Sequence, residues 1–286
     1  MDISINGKTA DIILETEKNI GDILSGLDQW LAGSGSRLSG LCIDNREISA
    51  DELPLALKMD LTGIKAIDIR ISSWDCLAVE ALGDLKGYCD LYNNSAFEER
   101  QSVIKTWDES AAKQFLSIEI KDLYDIASLS FGGHGISILD LGFLVDERIR
   151  ELANPAAEIC AIEKPVSEIT VRMEELPLDI QTGKDARAAE TIQFFSRLGE
   201  KLFRLLKIID QRGLNQNGFT FDSYKIDEQP LTGFLNDFGT ALKELTAAYG
   251  NQDAVLVGDL AEYELAPRLS KLFTALKEYS LEEAAR

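Results

Sequence analysis

Histidine occurs once in this 286-residue chain, as His134. One imidazole cannot supply two ligands, so a histidine-rich metal site is excluded, and a Ser-His-Asp or Cys-His relay has only this side chain to use. Cysteine is sparse as well. Cys42, Cys76, Cys89 and Cys160 lie far apart and form no CxxC pair. Structural zinc and redox motifs are therefore unsupported, and free, mostly buried thiols in a reducing cytoplasm are expected. Basic side chains are few: Lys+Arg number 29 against 49 Asp+Glu, for a net charge of -20. Residues 1–80 carry 14 acidic and 7 basic groups, 81–160 the same, and 161–286 carry 21 and 15. No basic half hides behind an acidic one. Phosphate backbones and anionic membrane surfaces would meet a repulsive field, so neither nucleic acid nor membrane is expected as a partner. No apolar run of 18 residues exists to span a bilayer, and "MDISINGKTADIIL" lacks the basic and apolar regions of a signal peptide. A cytoplasmic location is the expectation.

The phosphate-binding patterns GxxxxGK[ST] and GxGxxG are missing, as is the nucleophile elbow GxSxG. The glycine-rich "FGGHGIS" around His134 fits none of them. Its glycines supply positive φ for a helix stop and a change of direction, and this is how we read Gly132–Gly135. A contact with a partner or a pH-sensitive site is the alternative role for His134.

What is present begins with strands. "ISIN" and "TADIILET" flank Gly7, which predicts a hairpin. "NIGDILSGLDQWLAG" places Ile20, Ile23, Leu24, Leu27 and Leu31 on one helical face, with Asn19 as N-cap and Gly33 and Gly35 as the stop. "LSGLCIDNREIS" predicts a turn at Asp44-Asn45. In "IKAIDIRIS", Ile67, Ile69 and Ile71 alternate with other residues, as in a half-buried strand. This order resembles the ubiquitin-like β-grasp fold over residues 1–72, with "GLCIDNREI" and "AIDIRI" as its second half. Sulfur carriers and conjugated members of that family end in a free Gly-Gly tail. Here the last strand runs into "SSWDCLAVEALGDL" instead, so the resemblance implies a fold and not a carrier role.

From Trp74 onward helical spacing dominates, with Ser73 as an N-cap. Phe97, Ile104, Trp107, Ala111 and Ile118 predict a second helix running toward Leu129. "ISILDLGFLVDERIREL" is the next apolar segment. A helix in "EKPVSEITVRMEELPLDIQTG" is expected to bend near Pro177 and stop at Gly183. Lys184–Arg212 reads as a long helix, and "QRGLNQNGFTFDSYKIDEQP" as a loop with a short strand or hairpin. Two last helices cover Leu231–Tyr249 and Asp253–Glu283, the second bent at Pro267, with Gly258 admitting a neighbour expected to be Leu231–Tyr249. The segments "LPLDIQTGKDARAAETIQFFSRLGEKLFRLL" and "DAVLVGDLAEYELAPRLSKLF" resemble stretches of uncharacterised bacterial helical proteins.

The expected architecture is α+β: a β-grasp-like domain over 1–72, a helical middle region over 73–160, and an antiparallel helical bundle over 161–286. The long helix carries two apolar stripes. Ala188, Ile192, Phe195, Leu202, Leu206 and Ile209 form one, and Phe194, Leu198, Leu205 and Ile208 the other. Such a helix is either packed on two sides or shared with another chain, and the second stripe is the candidate partner surface. Asp259, Glu262 and Glu264 read as a solvated acidic face, with a Mg²⁺ or Ca²⁺ site as the alternative. No catalytic, cofactor or metal residue is assigned. The leading expectation is a protein-interaction or scaffold module without catalytic activity, its partner another protein or a second copy. The alternative is an enzyme or small-ligand protein with a carboxylate-lined site between domains.

Overall fold

A computed structural model describes residues 1–10, 14, 16–32, 36–49, 52–216 and 224–284. The chain divides into two compact units, Met1–Ile149 and Arg150–Arg286.

The first unit opens with β1 (Asp2–Ile5) and β2 (Lys8–Thr9), followed by α1 (Ile20–Ala32), β3 (Ser36–Ile43), β4 (Arg46–Ile48), α2 (Leu53–Ala56) and β5 (Ala66–Ser73). The sheet order is β2-β1-β5-β3-β4. β5 is central, parallel to β1 and antiparallel to β3. Its register explains the alternation in the sequence. Ile67 lies between Ile3 and Ile43, and Ile69 between Ile5 and Leu41. These rungs share one face, which packs with Ile20, Ile23 and Leu24 of α1. Both tight turns use positive φ: Asn6-Gly7 at 50° and 73°, and Asp44-Asn45 at 48° and 66°. Asn19 caps α1 by accepting from Asp22 N–H at 2.9 Å, and Asp22 accepts from Lys18 N–H at 2.8 Å. The expected stop at Gly33 and Gly35 lies outside the described residues, as does part of "TADIILET".

Helices complete this unit: α3 (Trp74–Asn94), α4 (Arg100–Asp108), α5 (Ala111–Glu119), α6 (Lys121–Phe131) and α7 (Ile138–Ala153), the last running across the division at Ile149. Ser73 caps α3 as expected. The single helix expected from Phe97 toward Leu129 is three helices. Ser110 accepts from Lys113 N–H and starts a new one at Ala111, and Ile120 separates the next. Phe97 and Ile118 are 84% and 78% exposed and take no part in the core. Trp107 does, tilted against Phe131 and edge-on to Tyr88.

The second unit contains α8 (Pro155–Ala161), α9 (Glu163–Gln181), α10 (Asp185–Gln216), a hairpin of β6 (Lys225–Ile226) and β7 (Gln229–Pro230), α11 (Leu231–Gly250), α12 (Ala254–Asp259), a π-helical turn over Leu260–Leu265, and α13 (Ala266–Ala284). The hairpin turn is Asp227-Glu228, with φ of 53° and 64°. One apolar core joins α9, α10, α11 and α13 through Ile169, Met173, Phe195, Leu202, Phe238 and Leu269. Pro177 lies inside α9, and α9 stops where Gly183 takes φ 70°. Pro267 is accommodated by register. Ala266 N–H bonds to the carbonyl of Ala261, five residues back, so the turn widens before the proline ring. Gly258 does admit a neighbour, but the neighbour is α9. A Cβ there would meet the Pro177 ring at 2.9 Å, and α11 is not the contact.

Candidate functional site

The glycine cluster around His134 is a helix stop. His134 N–H bonds to the Leu129 carbonyl at 2.9 Å and Gly133 N–H to that of Ser130 at 3.1 Å, while Gly133 holds φ 78°. Two carbonyls at the end of α6 are thus satisfied by a left-handed glycine. Gly135 follows so closely that a Cβ would fall 2.7 Å from Ser130 N. His134 itself is exposed. Ser137 then caps α7, accepting from Asp140 N–H at 3.1 Å and donating to the Asp140 carboxylate at 2.6 Å.

This corner presents an apolar face to solvent. Leu129 ends α6 and is 54% exposed, while Ile136, Leu139 and Phe143 are 43%, 59% and 61% exposed. A spacing of four places Leu139 and Phe143 on one stripe of α7, and Ile136 stands just before the helix begins. The opposite stripe of α7 is already used. Ile138, Leu141 and Val145 are buried, and Gly142 lies against Lys86 and Cys89 of α3. Lys86 is tied to Asp146 at 2.9 Å, which raises its pKa. Burial pushes the Cys89 thiol up to about 12, so it stays protonated at neutral pH. This face escaped the sequence reading because the segment is apolar on every side. Ile136, Ile138, Leu139, Leu141, Phe143, Leu144 and Val145 fit a helix, but periodicity does not say which stripe finds a neighbour.

The stripe chosen from the sequence lies elsewhere. Leu198 and Leu205 of α10 are 5% and 0% exposed and belong to the core of the second unit. Ile208 is buried, and Phe194 is half-buried against that core. A helix packed on two sides leaves these four residues little surface to offer. The polar side of α10 is also engaged. Arg204 forks onto Glu151 at 2.8 and 3.0 Å, and Lys201 holds Glu158 at 2.7 Å. Asp259, Glu262 and Glu264 do not converge, and Glu264 pairs with Arg268 along the helix. Among the described residues no group of three or more His, Cys, Asp or Glu is arranged to hold a metal ion. No helix among them is long and apolar enough to cross a membrane.

A groove of about 500 Å³ in the second unit is lined by Ile180, Asp185, Ala188, Tyr249, Gln252 and Val257. Beside it, Asp179 is buried at the α9–α10 corner, with Lys184 at 3.3 Å and Arg187 at 3.1 Å. These charges are matched within the corner.

Residues 1–73 match the family described as the TP0873 N-terminal domain, and residues 162–275 match a domain of unknown function, DUF8042. A protein of Treponema pallidum (strain Nichols), described as an uncharacterized protein, is 23% identical over 271 residues, covering 93% of this chain and 92% of that one. No solved structure matches the chain.

Proposed function

We propose that the protein is a cytoplasmic protein-interaction module without catalytic activity of its own. In this reading residues 1–72 form a β-grasp domain, residues 73–160 a helical middle region and residues 161–286 a helical bundle. The β-grasp assignment is supported by the order β2-β1-β5-β3-β4, with a parallel β1–β5 pair and α1 on one face. The cytoplasmic assignment is supported by four free cysteines. Against the expectation of mostly buried thiols, only Cys89 is buried, and Cys76 and Cys160 are exposed.

One observation carries the interaction reading: Leu139 and Phe143, exposed on a helix whose other side is already packed, with Ile136 exposed just before that helix and Leu129 exposed at the end of α6. A rigid, capped helix with a second apolar face gains by covering it, and such faces mark interaction sites. The test is affinity purification from the source cell with the full chain and with a Leu139→Glu, Phe143→Glu variant. A partner retained by the first and lost by the second supports the reading. Identical partner sets for both would remove this face from the function.

A second reading, small-ligand binding, is favoured by the groove lined by Asp185 and Tyr249, whose volume of about 500 Å³ falls within the usual range of ligand pockets. A Tyr249→Ala variant that no longer binds a metabolite retained by the wild type would move the function there.

A further inference from the structure

We propose that the α6–α7 face docks a cationic amphipathic helix of a partner protein. This deepens the interaction reading above and rests on it. The first observation is geometric. Leu139 and Phe143 lie one turn apart on α7, and Ile136 immediately precedes the Ser137 cap of that helix. The glycine stop brings the backbone of Leu129 within 3.0 Å of the Cβ position of Gly135, the residue before Ile136. The chain is pinned on both sides of Ile136, by the bond from His134 N–H to Leu129 and by the Ser137 cap. The face is therefore formed before a partner arrives, and a helix seating anchors at i, i+3 or i+4, and i+7 fits its spacing.

The second observation is electrostatic, and it selects the occupant. Residues 119–150 carry six carboxylates against Lys121, Arg148 and Arg150, a net of -3 with His134 neutral. Asp140 and Glu147 stand three residues before and four after Phe143, so they flank it along the stripe. Three of the six carboxylates are paired, Asp125 with Lys121 at 2.9 Å, Asp146 with Lys86 at 2.9 Å and Asp122 with Arg148 at 2.8 Å, so these contacts are locally balanced. An apolar strip beside Asp140 and Glu147, on a chain of net charge -20, attracts a helix that carries Lys or Arg beside its own apolar stripe. A second copy of this chain, at -20, would bring like charges together across the contact. Anionic lipid would meet the same repulsion.

The test uses the full chain and three fluorescent peptides. One is a leucine–lysine peptide patterned as an amphipathic helix, one has the same composition scrambled, and one has the pattern with glutamate for lysine. Anisotropy should show the patterned cationic peptide binding at least about tenfold more tightly than the scrambled one, with no binding of the acidic one. A Leu139→Ser, Phe143→Ser variant that melts like the wild type should lose about tenfold in affinity. The control Val255→Ser, an exposed apolar position in the second unit, should lose nothing. Equal binding of patterned and scrambled peptides, or of wild type and the double variant, overturns the proposal. So does a dimer in sedimentation that Phe143→Ser dissociates, because the occupant is then a second copy. The two readings fail separately. Unchanged partner sets in the purification above remove the interaction reading itself, while a captured partner without a cationic helix removes only this proposal.

Discussion

Pro177 and Gly258 meet as ring and gap. Pro177 carries no N–H to hold the α9 ladder, so its place depends on what surrounds it. Its ring fills the space that a side chain at residue 258 would need, with ring atoms 2.9 Å from the Cβ position. A proline ring cannot swing away. Gly258→Ala should therefore destabilise the protein by about 1–3 kcal/mol, despite the better helix propensity of alanine. Adding Pro177→Ala should recover part of the loss, as a cycle between touching residues does. Thermal melts of the four proteins check this, and a neutral Gly258→Ala would contradict the packing. The carboxylates of the first unit give a second prediction. Asp68 accepts from the Ser4 hydroxyl and from Gly7 N–H, which hold its pKa below the ordinary value of 3.8. A depressed carboxylate stabilises the fold above its unfolded-chain pKa. That contribution disappears as the pH falls from 3.8 through the folded value. Asp68→Asn should flatten the fall in melting temperature between mildly and strongly acidic buffer, and an unchanged acid limb would show that the two bonds contribute little.

At the scale of elements, the sequence was most readable where local chemistry and tertiary packing agree. The alternation of Ile67 and Ile69, the Asn19 cap and the Asp44-Asn45 turn each specify one conformation without knowledge of neighbours. The run from Phe97 to Leu129 did not yield its breaks. Its apolar periodicity continues across Ser110 and Ile120, and a serine is as common on a helix surface as at a cap. Gly258 showed that a helix would come close, but not that α9 would be the one. The role of α10 was legible in its two apolar stripes, while its polar side was not. Arg204 and Glu151 are far apart in sequence, and only the fold brings the guanidinium onto a carboxylate that is 1% exposed. Arg204→Met removes the forked partner and leaves that charge buried. It should cost about 3–5 kcal/mol, and Arg204→Met with Glu151→Leu should cost less than the single change. Denaturant titration measures both, and a single variant as stable as wild type would show that water or Lys201 replaces the guanidinium.

For the whole molecule, charge and surface act together. A net charge of -20 keeps copies apart and favours cationic partners, and the exposed strip on α7 gives such a partner something to bury. Composition made the first half of this legible. The second half was hidden, because an apolar segment with too many candidate faces does not reveal which one stays uncovered. If a partner sits on the face of Leu139 and Phe143, a photo-crosslinking amino acid placed at Leu139 in the source cell should capture it, with the same probe at Val79 of α3 as control. One dominant crosslinked protein is expected from Leu139, absent from Val79 and competed away by the patterned cationic peptide. Crosslinks that are equally diffuse from both positions, or none from Leu139, would rule out this face as the docking site.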